Sequence, residues 1–272
     1  MLVSFSISKA WKSCITVQLV RACRRCLNCV GVCLRHNQSC CAMANSKNID
    51  LVFSAAAKTM LLWTAGMVLV AVVGWILNRV FGCGTGCLSW LVLVWIIGVG
   101  FLGFFYRNPR KVIQSDPHDV LCPAYGTVDA IDEVEEPEVV GGKCKRVSIF
   151  LSVFDVHVQK APIAGKVLLV KHTPGKFLNA LRRESANVNE NVLIGIESAD
   201  FPGCRIGIRL IAGAIARRVT PFIEVGDTLS KGQTISLIQF GSRVDIYLPP
   251  RVELCVKLGE RVAGSQTILA RI

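Results

Sequence analysis

VGDTLSKGQTISLIQFGSRVDIYLPPRVELCVKLGERVAGSQTI, Val225 to Ile268, begins and ends on two versions of one phrase. VGDTLSKGQTI (225–235) returns as LGERVAGSQTI (258–268), with Gly226, Gln233, Thr234 and Ile235 repeated as Gly259, Gln266, Thr267 and Ile268. Upstream, Pro123-x-x-Gly126-x-Val128 returns as Pro162-x-x-Gly165-x-Val167. Glycine turns leading into short apolar runs predict paired β-strands. KRVSIFLSVFDVHV (145–158), AGKVLLVKH (164–172), VLIGIES (192–198), RIGIRLIAG (205–213), QTISLIQF (233–240) and RVDIYLP (243–249) carry the same punctuation. The expected class is therefore mainly β (α+β) over residues 107–272, with GKFLNALRRESANVN (175–189) as the most helix-like interruption.

A glycine turn entering a strand, repeated with approximate symmetry, resembles the flattened barrel of biotinyl and lipoyl domains. Those domains place a modified residue at a hairpin tip between the half-repeats, and here Gly241-Ser242 lies between the copies. A carrier needs a lysine there, but Lys231 lies inside the first copy, so the carrier reading fails on residue type.

The N-terminal part differs in character. Of the 272 residues 52% are hydrophobic, and the mean hydropathy is +0.48. No charge falls between Thr59 and Asn78 or between Val80 and Tyr106, and each run is long enough to span a bilayer. With Gly82-Cys83-Gly84-Thr85-Gly86 as a turn, residues 59–106 read as a transmembrane two-helix hairpin. Lys47 and Lys58 before it, and Arg107, Arg110 and Lys111 after it, put both ends on the cytoplasmic face of the cell (inner) membrane.

The net charge of +12 is weighted toward the first 50 residues, where basic side chains suit anionic headgroups. No aromatic-interleaved basic patch supports nucleic-acid binding. Cys23, Cys26, Cys29 and Cys33 have the spacing of a ferredoxin iron–sulfur run, but no proline follows Cys33 and no second run completes it. No metal site is expected. Residues 1–58 read as a basic, cysteine-rich leader, unstructured or lying upstream of a true start at Met43.

A serine hydroxyl can attack the carbonyl of the residue before it, and glycine removes the steric shield. The resulting ester can eliminate to dehydroalanine and hydrolyse to a pyruvoyl group, an electron sink of the kind usually supplied by pyridoxal phosphate. A Gly-Ser pair alone is ordinary turn chemistry. Its surroundings are more specific: FFYRNPRK (104–111), PAYGTVDAI (123–131), IFLSVFDVHVQKAPIAGKV (149–167), GKFLNA (175–180), NEN (189–191), IAGAIARR (211–218) and FGSRVDIYLP (240–249). From about Phe104 to Ile272 the chain resembles the phosphatidylserine decarboxylase family in its short form.

That resemblance implies a proenzyme cut between Gly241 and Ser242 into a β chain (1–241) and an α chain (242–272), which stay together as a heterodimer with any higher oligomer left open. It implies that Ser242 becomes a covalent pyruvoyl cofactor, forms a Schiff base with phosphatidylserine and releases CO2 to give phosphatidylethanolamine. His157 matches the family's histidine near the substrate and is the candidate general acid/base. Asn189 and Glu190 are candidates to contact the serine headgroup, and Arg217, Arg218 and Arg243 to meet its phosphate or carboxylate. Two positions depart from the long-form pattern: Lys160 stands where a second histidine is found, and Tyr125 replaces the aspartate of a PADG motif. Asp129, Asp155, Asp245 and Lys160 are the alternatives for activating Ser242. The rival readings are an archaeal ether-lipid serine decarboxylase and a membrane-anchored, barrel-like adaptor without catalysis.

Overall fold

The computed structural model describes residues 30–81, 86–109, 114–176, 188–213, 219–239 and 241–272. Residues 44–272 form one compact unit. Two helices come first, α1 (Val30–Phe81) and α2 (Gly86–Phe105). Within the stretch read as a leader, unstructured or upstream of a start at Met43, the described residues are helical from Val30 on. Residues 30–58 hold no proline, and extending an existing helix is far easier than nucleating one.

Residues 50–76 of α1 have a mean hydropathy of 2.0 and are long and apolar enough to cross a membrane. Large apolar side chains such as Leu61, Leu62, Leu69, Trp90 and Ile97 are exposed on the two helices. The helices run side by side in opposite directions: Trp95 Nε1 donates to Thr64 Oγ1 at 3.4 Å, and the hydroxyls of Thr59 and Tyr106 meet at 2.9 Å. Gly98 leaves the space that the Trp63 ring fills.

The rest is mainly β: β1 (Asp119–Leu121), β2 (Gly126–Glu136), β3 (Gly142–Leu151), β4 (Val158–Lys160), β5 (Gly165–Thr173), β6 (Asn191–Ser198) and β7 (Arg205–Ala212), followed by β8 (Val219–Pro221), β9 (Thr228–Leu229), β10 (Thr234–Ile238), β11 (Ser242–Leu248), β12 (Glu253–Leu254), β13 (Arg261–Val262) and β14 (Ile268–Arg271). Eight strands form one curled sheet in the order β13-β2-β3-β11-β7-β6-β5-β9. Two three-stranded sheets, β1-β14-β12 and β4-β10-β8, complete the domain. The helix-like stretch 175–189 falls largely on residues 177–187, outside the described residues.

The two sequence echoes meet in space. Gly226 N–H donates to the Val167 carbonyl and Val167 N–H to Asp227, while Gly259 N–H donates to the Val128 carbonyl and Val128 N–H to Glu260. Each copy of the C-terminal phrase is thus fastened to one copy of the Pro-x-x-Gly-x-Val motif. Gly126 and Gly165 face the carbonyls of Phe150 and Glu197 so closely that a methyl group would collide with them. The main core lies on one side of β11, where Val244, Ile246 and Leu248 pack with Ile149, Leu151, Ile194, Ile208 and Leu210.

Candidate active site

Alternation along β11 separates its residues by face. Ser242 shares the side of Val244 and Ile246, while Arg243, Asp245 and Tyr247 face the other way. Ser242 is in register with Leu151 of β3 and Ala212 of β7, in the interior of the large sheet. It is fully buried, and among the described residues its hydroxyl has no hydrogen-bond partner. Leaving such a group unsatisfied costs about 1–3 kcal/mol. The expected hairpin tip is instead a buried strand start, with β10 and β11 in different sheets.

Gly241, just before it, has φ +58°, a left-handed conformation that a side chain would strain. Its N–H donates to His157 Nε2 at 3.0 Å. The other ring nitrogen, Nδ1, lies 2.9 Å from the Asp155 carbonyl, so Nδ1 carries the proton and Nε2 is the acceptor. Burial pushes the His157 pKa down to about 4, with the nearby Arg107 charge acting in the same direction and Asp155 opposing it. At neutral pH the ring is uncharged and its basic nitrogen touches the Gly241-Ser242 dipeptide. Phe105, the last residue of α2, stacks on the ring with centroids 4.5 Å apart.

These features fall inside a region with a shared pattern in known proteins. The family model described as phosphatidylserine decarboxylase matches residues 100–270. The chain belongs to the phosphatidylserine decarboxylase family. Relatives named phosphatidylserine decarboxylase proenzyme include one from Carboxydothermus hydrogenoformans, 42% identical over 67% of this chain and 85% of the relative. Another from Desulfotalea psychrophila is 38% identical over 67% and 84%. A third from Burkholderia cenocepacia is 37% identical over 75% and 91%.

The structure sorts the remaining decarboxylase-family candidates. Asn189 is buried and its amide donates to the carbonyl of Ala212, the register neighbour of Ser242, at 2.7 Å. The Glu190 carbonyl accepts the Ala212 N–H, while its carboxylate reaches His172 Nε2 at 3.2 Å. Arg243 points to the face opposite Ser242, where it is buried and ion-paired with Asp129. Arg217 and Arg218 lie outside the described residues, as do Cys23, Cys26 and Cys29. Among the described residues no three His, Cys, Asp or Glu side chains form a metal-binding group.

The alternatives for activating Ser242 are also held elsewhere. The Asp155 carboxylate accepts from Ser152 N–H and pairs with Arg261 at 2.5 Å. Lys160 Nζ donates to Asn108 Oδ1 and Thr234 Oγ1. Asp245 is fully buried on the wrong face, its pKa raised by desolvation against the partial offset of Ser148 and the charges of Arg146, Arg243 and Arg209. Tyr125 hydrogen-bonds Gln266 at 3.2 Å. Sequence reasoning missed Phe105, Arg107 and the Asp155 carbonyl. A signal existed for the last: Asp155-x-His157 before Pro162 repeats Asp116-x-His118 before Pro123.

Proposed function

We propose that this chain is a self-cleaving phosphatidylserine decarboxylase, a carboxy-lyase whose own Ser242 becomes its pyruvoyl cofactor. The observation that carries the reading is the buried Ser242 hydroxyl, without a hydrogen-bond partner among the described residues, behind a left-handed Gly241 whose N–H is held by neutral His157. His157 Nε2 takes the Ser242 proton as the oxygen attacks the Gly241 carbonyl, moving the acyl group from nitrogen to oxygen. Elimination releases the Gly241 carboxylate, and hydrolysis of the dehydroalanine with loss of ammonia leaves the pyruvoyl group on residue 242. Once formed, that group supplies an electron-withdrawing carbonyl that takes up the electron pair left as CO2 departs.

Asn189, tied to the backbone beside Ser242, and Glu190 are the substrate-side polar groups of this reading. Arg243 serves through Asp129 rather than by touching the lipid. The relatives are named for phosphatidylserine, which favours that lipid over an ether-lipid serine.

The apolar helices support a membrane hairpin over 59–106 that holds the catalytic domain, residues 107–272, at the cytoplasmic face, with a leader over 1–58. The matched half-repeats support the biotinyl/lipoyl-like reading of the β domain. After the cut, β11 of the small chain stays hydrogen-bonded between β3 and β7 of the large one, which favours a lasting heterodimer.

Intact-mass measurement tests the proposal. The expected result is a fragment 242–272 with a pyruvoyl N-terminus that, on borohydride-type trapping, gains the mass of phosphatidylserine or its decarboxylated product less one oxygen. Full-length protein only, with wild-type decarboxylation unaffected by Ser242→Ala, would overturn it.

A further inference from the structure

A groove of about 400 Å³ lies where the helices meet the domain, lined among others by Phe53, Ala56, Met60, Gly103, Arg107 and Asn108. Its walls come from helix surfaces whose neighbouring side chains, Phe53 and Phe104 among them, are exposed and apolar. Its other end is polar. Arg107 follows α2 by two residues, and its guanidinium donates to the carbonyls of Phe104 at 2.7 Å and Phe154 at 2.6 Å. Those two bonds leave further N–H groups on the fork, and among the described residues Arg107 forms no ion pair.

The polar end is wired to the reaction centre. Phe154 lies in the turn that carries His157, and the Arg107 charge is felt by the His157 ring. Asn108, also lining the groove, accepts a hydrogen bond from Lys160 Nζ at 2.7 Å. The groove therefore joins apolar walls to an arginine that forms no ion pair among the described residues, beside the candidate catalytic histidine. A ligand that matches it has an anionic group joined to an alkyl chain.

We propose that this groove is the lipid-recognition subsite of the substrate: Arg107 binds the phosphodiester, and the first part of one acyl chain lies against Ala56, Met60 and Gly103. The assignment rests on the decarboxylase reading above and adds to it the residues that select a phospholipid over free serine. A planar guanidinium already fixed by two carbonyls loses little freedom on meeting a phosphate. Gly103 keeps the acyl path open, since a methyl group there would only graze Met60, with 3.9 Å between them.

The test uses the full chain and compares only molecules that have completed self-cleavage, so that misfolded protein drops out. Wild type, Arg107→Ala, Arg107→Lys and Gly103→Leu are assayed for CO2 release from long-chain phosphatidylserine in vesicles, from dihexanoyl phosphatidylserine below its micelle concentration and from glycerophosphoserine. Arg107→Ala should lower kcat/KM about ten- to a hundredfold on both lipids, the range of a lost charge-assisted bond, mostly through KM, and Arg107→Lys should recover part of it. Gly103→Leu should weaken both lipids severalfold and spare glycerophosphoserine, which has no acyl chain.

An Arg107→Ala enzyme with unchanged kcat/KM on the short substrate overturns the assignment, even if its vesicle binding falls, because the residue would then hold bulk lipid. A Gly103→Leu effect equal on the lipids and on glycerophosphoserine overturns the acyl path. Wild-type protein that cleaves itself yet releases no CO2 from either lipid sinks the decarboxylase reading instead.

Discussion

The two halves of the β domain are built alike and used differently. β4-β10-β8 with β5, β6 and β9 repeats the arrangement of β1-β14-β12 with β2, β3 and β13. In one half His157 precedes β4, and its carbonyl accepts the N–H of Ile238; in the other His118 precedes β1, and its carbonyl accepts the N–H of Ile272. Each ring also meets a phenylalanine, but from unlike elements: Phe105 of α2 for His157 and Phe201 of the β6–β7 loop for His118. Yet His157 is fully buried and reaches Gly241, whereas His118 is exposed and its Nδ1 meets the Ile272 carbonyl. In the proposed reading, the same local frame becomes a reaction centre only where α2 covers it and the chain runs on into Gly241-Ser242.

The largest expected contrast is between the two histidines. His157→Ala should slow self-cleavage by about a hundredfold to ten-thousandfold, the usual loss on removing a general base, while His118→Ala stays within twofold. The rates come from the growth of fragment 242–272 on a time-resolved gel; equal slowing would dissolve the functional asymmetry.

Structural symmetry makes the opposite demand on the glycines. Gly126→Ala and Gly165→Ala each push a methyl group into a facing carbonyl, so each should destabilise the domain by about 2–4 kcal/mol, and by similar amounts. Denaturant midpoints of the detergent-solubilised chain measure this, and a loss confined to one glycine would show that the halves are alike in outline only.

pH sharpens the difference from another side. The folded His157 pKa, near 4, is below its ordinary value of 6.5, so the unfolded chain binds the extra proton first. Its contribution to stability is fully present above about 6.5 and is lost as pH falls from there toward 4. His157→Gln should flatten that part of the stability curve. In the same reading, self-cleavage should persist at pH 5.5, where an ordinary histidine would be charged; a sharp loss near 6.5 would argue against a buried neutral ring.

The smallest effect belongs to the turns of the repeated phrase. Gly226 and Gly259 have φ +98° and +80° with open space around them, so alanine at either meets backbone strain alone, about 1 kcal/mol. Matched shifts in the denaturant midpoint would extend the likeness of the halves to their turns.

Much of this was readable in the chain. The echoes at 225–268 and 123–167 announced paired strands, and they are hydrogen-bonded to each other. Gly241-Ser242 stood out because glycine before a serine suits one particular rearrangement. Arg243 was harder: residue type suggested a ligand for anions, but period-two alternation turns it to the face of Asp129, away from Ser242. Asp245 failed for the same reason. Arg107 was read only as a charge flanking the membrane, since nothing local reveals that the Phe154 carbonyl lies 47 positions away in sequence and within hydrogen-bond reach.

The sequence by itself determined the strand-rich class, the apolar helices, the internal repeat and, through its family-like surroundings, the Gly-Ser bond proposed for self-cleavage. All of these are written in local pattern: hydropathy, period and the residue types flanking a turn. Only the tertiary structure decided how His157 is held against the Gly241 N–H, which carboxylates are spent on arginines and where Arg107, without an ion pair among the described residues, meets an apolar groove. Those outcomes depend on burial and on contacts between residues far apart in the chain, and no local pattern records which neighbour desolvates a side chain.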